Sequence, residues 1–242
     1  MDKRLPFLSH LAELRKTVLV CVAVLVAAAA LCMPFAGRVL QMLQRPAAGE
    51  IPALYYFGPE EAFLVYMRIG FFCAVILASP VIFYSIWHFI SPALPRRGGA
   101  LPFIAVCAAA FLCGCLFSYF ILLPSSLRFL LSIGGSSLRP LISASRYVSF
   151  VTGLTLACGA VFLMPACVYF LARAHLVTAS FLRRHYAAAL VVILVGAAVI
   201  TPTADMFNML AVAVPMVCLY EISIWIAFFA GRCGSMGEEA YG

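Results

Sequence analysis

The sequence predicts an all-α integral membrane protein: six apolar helices crossing a bilayer, gathered into a concave bundle whose fifth and sixth helices are short. Composition points there first. Of 242 residues, 65% are hydrophobic and 10% charged, with a mean hydropathy of +1.09, whereas a soluble domain carries roughly 25% charged residues. Too few polar side chains remain to cover a water-facing surface, and lipid is the solvent that tolerates the rest. Run length comes second, because a helix needs about 20 residues to cross a hydrocarbon core of about 30 Å, and the apolar runs approach that length. The breaks between the runs come third: they hold the prolines, glycines and basic residues of a chain turning at a membrane surface.

The elements follow in order, as one polytopic domain over residues 1–242. Residues 7–16 read as an interfacial amphipathic helix: Leu8, Leu11, Leu14 and Val18 share one face, while Ser9, His10, Glu13 and Lys16 share the other. It runs into span one at 17–35. Ala30, Leu31 and Cys32 faintly resemble a lipoprotein cleavage site, but Leu31 stands where a small residue is needed. More apolar runs follow, so this one is read as a retained span. Spans two, three and four cover 64–89, 101–123 and 147–171, and spans five and six cover 186–200 and 208–230. The fifth, at about 22 Å of helix, is too short for a full-thickness bilayer without thinning or polar ends in the interface. Residues 37–63 and 124–146 read as ordered caps with short helices at most. Pro34, Pro80, Pro124, Pro165 and Pro215 each remove a hydrogen bond inside a helix and favour a kink; the other reading is that proline is simply common in transmembrane helices.

The net charge of +7 reads as topology, and no nucleic-acid motif competes with that reading. Lys3, Arg4, Arg15, Lys16, Arg96, Arg97, Arg173, Arg183, Arg184 and Arg232 fall on one side. They outnumber Arg38, Arg45, Arg68, Arg128, Arg139 and Arg146 on the other. The positive-inside rule then places both termini in the cytoplasm. The ten cysteines lie in or beside apolar stretches without paired CxxC spacing, so neither disulfides nor a metal site is expected. No zinc-protease helix, serine elbow or phosphate loop is present, and the chain reads as neither an enzyme nor a cofactor binder. His10, His88, His175 and His185 read as interfacial polar residues.

Four groups of residues carry the remaining chemistry. Glu13 sits at the water–lipid boundary, a good place to receive an arginine; pairing with Lys16 on a solvated face is the other reading of its spacing. Gly58-Pro59-Glu60-Glu61 has the pattern of a helix start, with acids at the positive helix end. Arg68, two turns on from Glu61, is expected to snorkel outward or reach an acid. Asp205 can cap span six. Glu221 falls near the middle of that span, where an acid costs about 2.5–3.5 kcal/mol, so it should face the bundle or a wet cavity. A hydrogen bond to a Tyr or Ser is the alternative.

Taken together the motifs resemble the TatC family. His10-Leu11-Ala12-Glu13-Leu14-Arg15 resembles its HLxELR motif, and Gly58-Pro59-Glu60-Glu61-Ala62-Phe63 resembles the motif before its second span. Ser79-Pro80-Val81-Ile82-Phe83-Tyr84 and Trp87-His88-Phe89-Ile90-Ser91-Pro92-Ala93-Leu94 resemble the end of that span. Tyr119-Phe120 with Pro124 resembles the end of span three. Thr201-Pro202-Thr203-Ala204-Asp205 through Pro215 and Leu219-Tyr220-Glu221 resembles the last hairpin. Any one motif is weak; their order and spacing make the resemblance specific.

The resemblance implies a receptor in the bacterial inner membrane for signal peptides bearing consecutive arginines. Folded cargo would cross at the expense of the proton-motive force, with single-span TatA- and TatB-type partners, in a complex holding more than one copy of this chain. It implies peptide binding at Glu13, with His10, Leu14 and Arg15 of the same motif, and leaves Glu61, Arg68, Asp205 and Glu221 as further functional candidates. Two positions depart from the family. Its second receptor glutamate aligns with Gly98, and a frequent glutamate in span four aligns with Leu163. Glu13 therefore transfers as a site, but the two-carboxylate clamp does not. A small-molecule transporter is the competing reading; it would need a polar site at the membrane midplane, for which only Glu221 and the prolines offer material.

Overall fold

The structure, a computed structural model, describes residues 4–47, 53–91, 100–133, 141–173, 177–200 and 206–238. Its helices are α1 (Arg4–Cys32), α2 (Ala36–Gln44), α3 (Pro59–Ile90), α4 (Ala100–Phe117), α5 (Leu123–Ile133), α6 (Ala144–Phe162), α7 (Met164–Arg173), α8 (Ala179–Arg184), α9 (Tyr186–Ile200) and α10 (Met206–Glu238). Among the described residues the only bridge of β type joins Tyr55 to Ser143. Five stretches are long and apolar enough to cross a membrane: Glu13–Gln44, Pro59–Phe89, Ala100–Ser132, Ala144–Arg173 and Met209–Phe229. The apolar helix Tyr186–Ile200 is shorter. The expected six spans with a short fifth agree with this architecture; the sixth, expected to be short, instead lies in the 33-residue α10, whose apolar stretch Met209–Phe229 is long enough to cross.

Closing every backbone bond inside a helix is what lipid demands, and the prolines test that rule. Pro80 cannot donate to the carbonyl of Ile76, yet α3 runs through it unbroken. Ser79 Oγ donates to that same carbonyl at 2.8 Å, so the orphaned acceptor is satisfied one residue away. Pro165 would orphan Val161; there α6 ends, and the Leu163 N–H turns back to the carbonyls of Ala160 and Val161. Pro34 lies in a 3-10 turn, Met33–Phe35, between α1 and α2. Pro124 follows a π-helical turn, Ser118–Leu122, between α4 and α5, the kind of single wide turn that commonly marks a helix adjusting to strain. At Pro215 the helix continues without a break.

Packing divides into two clusters. The larger joins α3, α5, α6, α9 and α10 around the fully buried Ile69, Leu122, Leu123, Val148, Val151 and Ile224. The smaller gathers Phe83 and Trp87 of α3 with Phe103, Cys107, Phe111 and Cys115 of α4 and Ala166 of α7. The α1 helix packs along α3, where Gly70 lets Met33 and the Ala29 carbonyl come close. Its outward side chains, Val18, Leu19, Val22, Val26 and Leu31, stay exposed, which lipid accommodates without cost.

The tightest approach is between α4 and α6. A Cβ placed on Gly114 would stand 2.6 Å from the Cys158 carbonyl oxygen and 2.9 Å from the Gly159 Cα. One on Gly159 would meet the Phe111 ring at 2.7 Å. Small residues that let backbones approach are the usual means of holding membrane helices together, and here two of them face one another.

Candidate functional site

The chain alternates direction, so α1 begins where α3 ends, and that end of the bundle carries Glu13. The site is built from α3 outward. Trp87 is buried in an aromatic trio, its ring 4.8 Å from Phe103 and 6.0 Å from Phe170, with Phe103 and Phe170 4.4 Å apart. This pins the last turns of α3 against α4 and α7. With Trp87 facing inward, Tyr84 and His88, one turn apart on the neighbouring face, turn toward α1.

There they meet Glu13. An open groove of about 500 Å³ is lined by Glu13, Lys16, Thr17 and Val20 of α1 and by Tyr84, Ser85 and His88 of α3. His88 Nδ1 lies 3.8 Å from Glu13 Oε1. Ser85 Oγ donates to the Val81 carbonyl at 2.9 Å, which leaves Tyr84, His88, Lys16, Thr17 and Glu13 as the polar groups a ligand would meet. Among the described residues, Glu13 is the only acid lining this groove. Both Glu13 and His88 are substantially exposed, at 41% and 62% of their side chains, so the carboxylate is open to a ligand.

Other predicted residues fall elsewhere. Leu14 and Arg15 are exposed and do not line the groove. His10 belongs to α1 but its side chain lies outside the described residues, as does Asp205 altogether. His88 was read as a plain interfacial residue; neither its spacing nor the family motif signalled that it would face Glu13 across two helices.

Glu61 and Arg68 belong to the opposite end, where they stitch helices together. Ser143, the N-cap of α6, donates its hydroxyl to Glu61, and the Phe57 N–H donates to Glu61 Oε2 at 2.7 Å. The expected helix-start role of Glu61 is thus joined by a tie to α6. Arg68 reaches no acid among the described residues and does not simply snorkel: its Nη1 donates to the Ser145 carbonyl at 3.1 Å and to its hydroxyl at 3.0 Å. Tyr119 and Tyr147 donate to the carbonyls of Met42 and Leu43 in the last turn of α2, both at 2.7 Å, the Met42 carbonyl accepting also from the Arg45 N–H. Glu61→Ala is expected to accelerate amide exchange at Phe57 and across the Tyr55–Ala144 pairing, read by hydrogen-exchange mass spectrometry; unchanged exchange there would show the tie to be idle.

Glu221 also departs from expectation. Its side chain is exposed on α10, and Tyr186, a residue of the alternative partner type, lies beside its carboxylate. Tyr186 opens α9, and the adjacent Tyr220 hydroxyl donates to the Leu182 carbonyl of α8 at 2.8 Å. Glu221 lies near the middle of the apolar stretch Met209–Phe229, as counting residues along span six expects, beside Tyr186, the first residue of α9.

These features define a multi-pass helical membrane protein with a polar groove at one end and a hydrogen-bonded cap at the other. The family model for Sec-independent protein translocase protein TatC matches residues 9–215. A TatC from Carboxydothermus hydrogenoformans is 33% identical over 240 residues, covering 98% of this chain and 99% of that protein. One from Helicobacter pylori strain J99 is 36% identical over 220 residues, covering 90% and 87%. A crystal structure of the twin-arginine translocase receptor TatC superposes with a TM-score of 0.82 at 33% identity, covering 91% of this chain and 99% of that one. The chain belongs to the TatC family of Sec-independent protein translocase proteins.

Proposed function

We propose that this chain is the signal-peptide receptor of a twin-arginine translocation system, with Glu13 as the residue that takes a guanidinium. The observation carrying this reading is the open, acid-bearing groove between the start of α1 and the end of α3. A carboxylate there can accept two parallel hydrogen bonds from one arginine, a geometry an ammonium cannot match. The excess of basic residues on one side supports a cytoplasmic position for both termini, which puts the groove where an unexported leader peptide arrives. Single-span TatA- and TatB-type proteins are the proposed partners, in a complex with several copies of this chain, and the proton-motive force is the proposed energy source. The exposed position of Glu221 on the outside of α10 withdraws the main feature that favoured a small-molecule transporter.

The test is binding of a leader peptide with consecutive arginines to the purified chain, alone and with such partners, against the same peptide with lysines. Tighter binding of the arginine form is expected; equal binding of both would remove the receptor reading. Because Gly98 stands where the family carries a second acid, Gly98→Glu is expected to strengthen binding by about tenfold or more, the worth of one charge-assisted bond. Titration calorimetry with the same peptide checks it, and no gain would mean that another acid already fills the role.

A further inference from the structure

The groove contains a base that neither the family motif nor the receptor reading uses. His88 projects from α3 toward α1, and its Nδ1 stands 3.8 Å from Glu13 Oε1. We infer that His88 sets the specificity and pH response of the groove, acting as an internal cation that occupies Glu13 when protonated and gives way to a guanidinium when neutral. This rests on the receptor reading and adds a determinant to the same site.

The geometry supplies the competition. A carboxylate offers two oxygens, and a guanidinium bound through its fork uses both. An imidazolium drawn to Oε1 takes one of them and adds a like charge beside the incoming arginine. The groove's other charge is Lys16, one turn along α1 from Glu13. With His88 neutral the lining carries one acid and one base; with His88 protonated it carries one acid and two bases, and attraction for a cationic peptide falls.

The surroundings limit what else can contribute. Among the described residues, His88 is faced from α1 by Glu13 and Lys16, and along its own helix its neighbour is Tyr84; α7, which packs on Trp87, carries Tyr169 and Arg173, the latter donating to the Tyr169 hydroxyl at 3.0 Å. The α4 helix has no charged residue, and the one in α6, Arg146, lies near that helix's start at the far end. Histidines ordinarily change charge between about pH 5 and pH 8, whereas carboxylates, lysines and tyrosines ordinarily titrate outside that window. His88 and Glu13 are both substantially exposed, so solvent screening keeps the effect small, at about two- to fivefold in affinity.

The sign follows directly. Affinity for a twin-arginine peptide is higher at about pH 8 and lower at about pH 6. In the receptors that keep a second acid, a lone histidine would matter less; here Glu13 is the only acid among the described residues of the groove lining, and a competitor for it has no counterweight there.

The experiment uses the full chain in lipid nanodiscs at fixed salt. It measures affinity for a synthetic twin-arginine peptide at about pH 6 and about pH 8 in wild type, His88→Gln and His88→Glu. The wild-type ratio of the two affinities is expected to be about two- to fivefold, the His88→Gln ratio close to one, and His88→Glu tighter than wild type at both pH values. The same ratio in wild type and His88→Gln, or no gain from His88→Glu, overturns the inference while arginine-over-lysine preference at the higher pH leaves the receptor reading standing. Loss of that preference in wild type removes both.

Discussion

Glu13→Ala is expected to reduce capture of a twin-arginine peptide to background, the largest functional effect of any single change in this chain. The groove beside α1 and α3 contains one acid, and a guanidinium seated on it makes two charge-assisted bonds. At about 1.5–3 kcal/mol for each such bond, their loss corresponds to at least about a hundredfold in affinity. Glu13→Gln keeps the shape and hydrogen-bonding oxygen but removes the charge, and should rescue little. Fluorescence anisotropy with a labelled peptide separates the cases. Circular dichroism should be unchanged in both variants, because Glu13 is partly exposed and supports no buried partner. Wild-type affinity in Glu13→Ala would move the site elsewhere.

Gly114→Leu is expected to produce the largest loss of stability. A mere Cβ at this position already meets the Cys158 carbonyl oxygen at 2.6 Å and the Phe162 Cβ at 2.8 Å. Both belong to the α6 helix, and backbone cannot rotate aside as a side chain can. Gly114→Ala should therefore cost about 1–3 kcal/mol by overpacking, and leucine should separate α4 from α6 altogether. Gly153 is the control: nothing stands within 4 Å of a Cβ built there, so Gly153→Ala should not lower the melting midpoint in detergent. Equal melting of Gly114→Leu and wild type would contradict the close crossing. The loss should also reach the groove, since Phe103 on the same α4 helix holds Trp87, and Trp87 holds the register of Tyr84 and His88.

The helices that cross the membrane were legible in the sequence because their signal is local: a run of apolar residues of the right length identifies itself. The shortness of α9 was legible for the same reason. The helix start at Pro59 was readable from a few adjacent residues. What escaped depended on distance along the chain. Arg68 meets Ser145 across 77 positions, and no periodicity in either segment announces the pair. The facing of His88 and Glu13 needs the antiparallel alignment of α1 and α3 and the anchoring of Trp87, neither of which local spacing encodes. Glu221 lies near the middle of its span, as counting residues expects, but its neighbour Tyr186 comes from the start of a separate helix that local spacing does not name. The π-helical turn at Ser118–Leu122 was hidden because Pro124 marks strain in the sequence without saying how the backbone relieves it.

The most direct test places a photocrosslinking residue at Val20, which lines the groove while leaving Glu13 intact, and asks whether a bound twin-arginine leader is trapped. An adduct at Val20 that disappears in the Glu13→Ala background, with none from exposed Leu141 near the start of α6, is the expected result. Trapping that survives loss of Glu13, or that favours Leu141, would mean the arginines are read at some other place on the molecule.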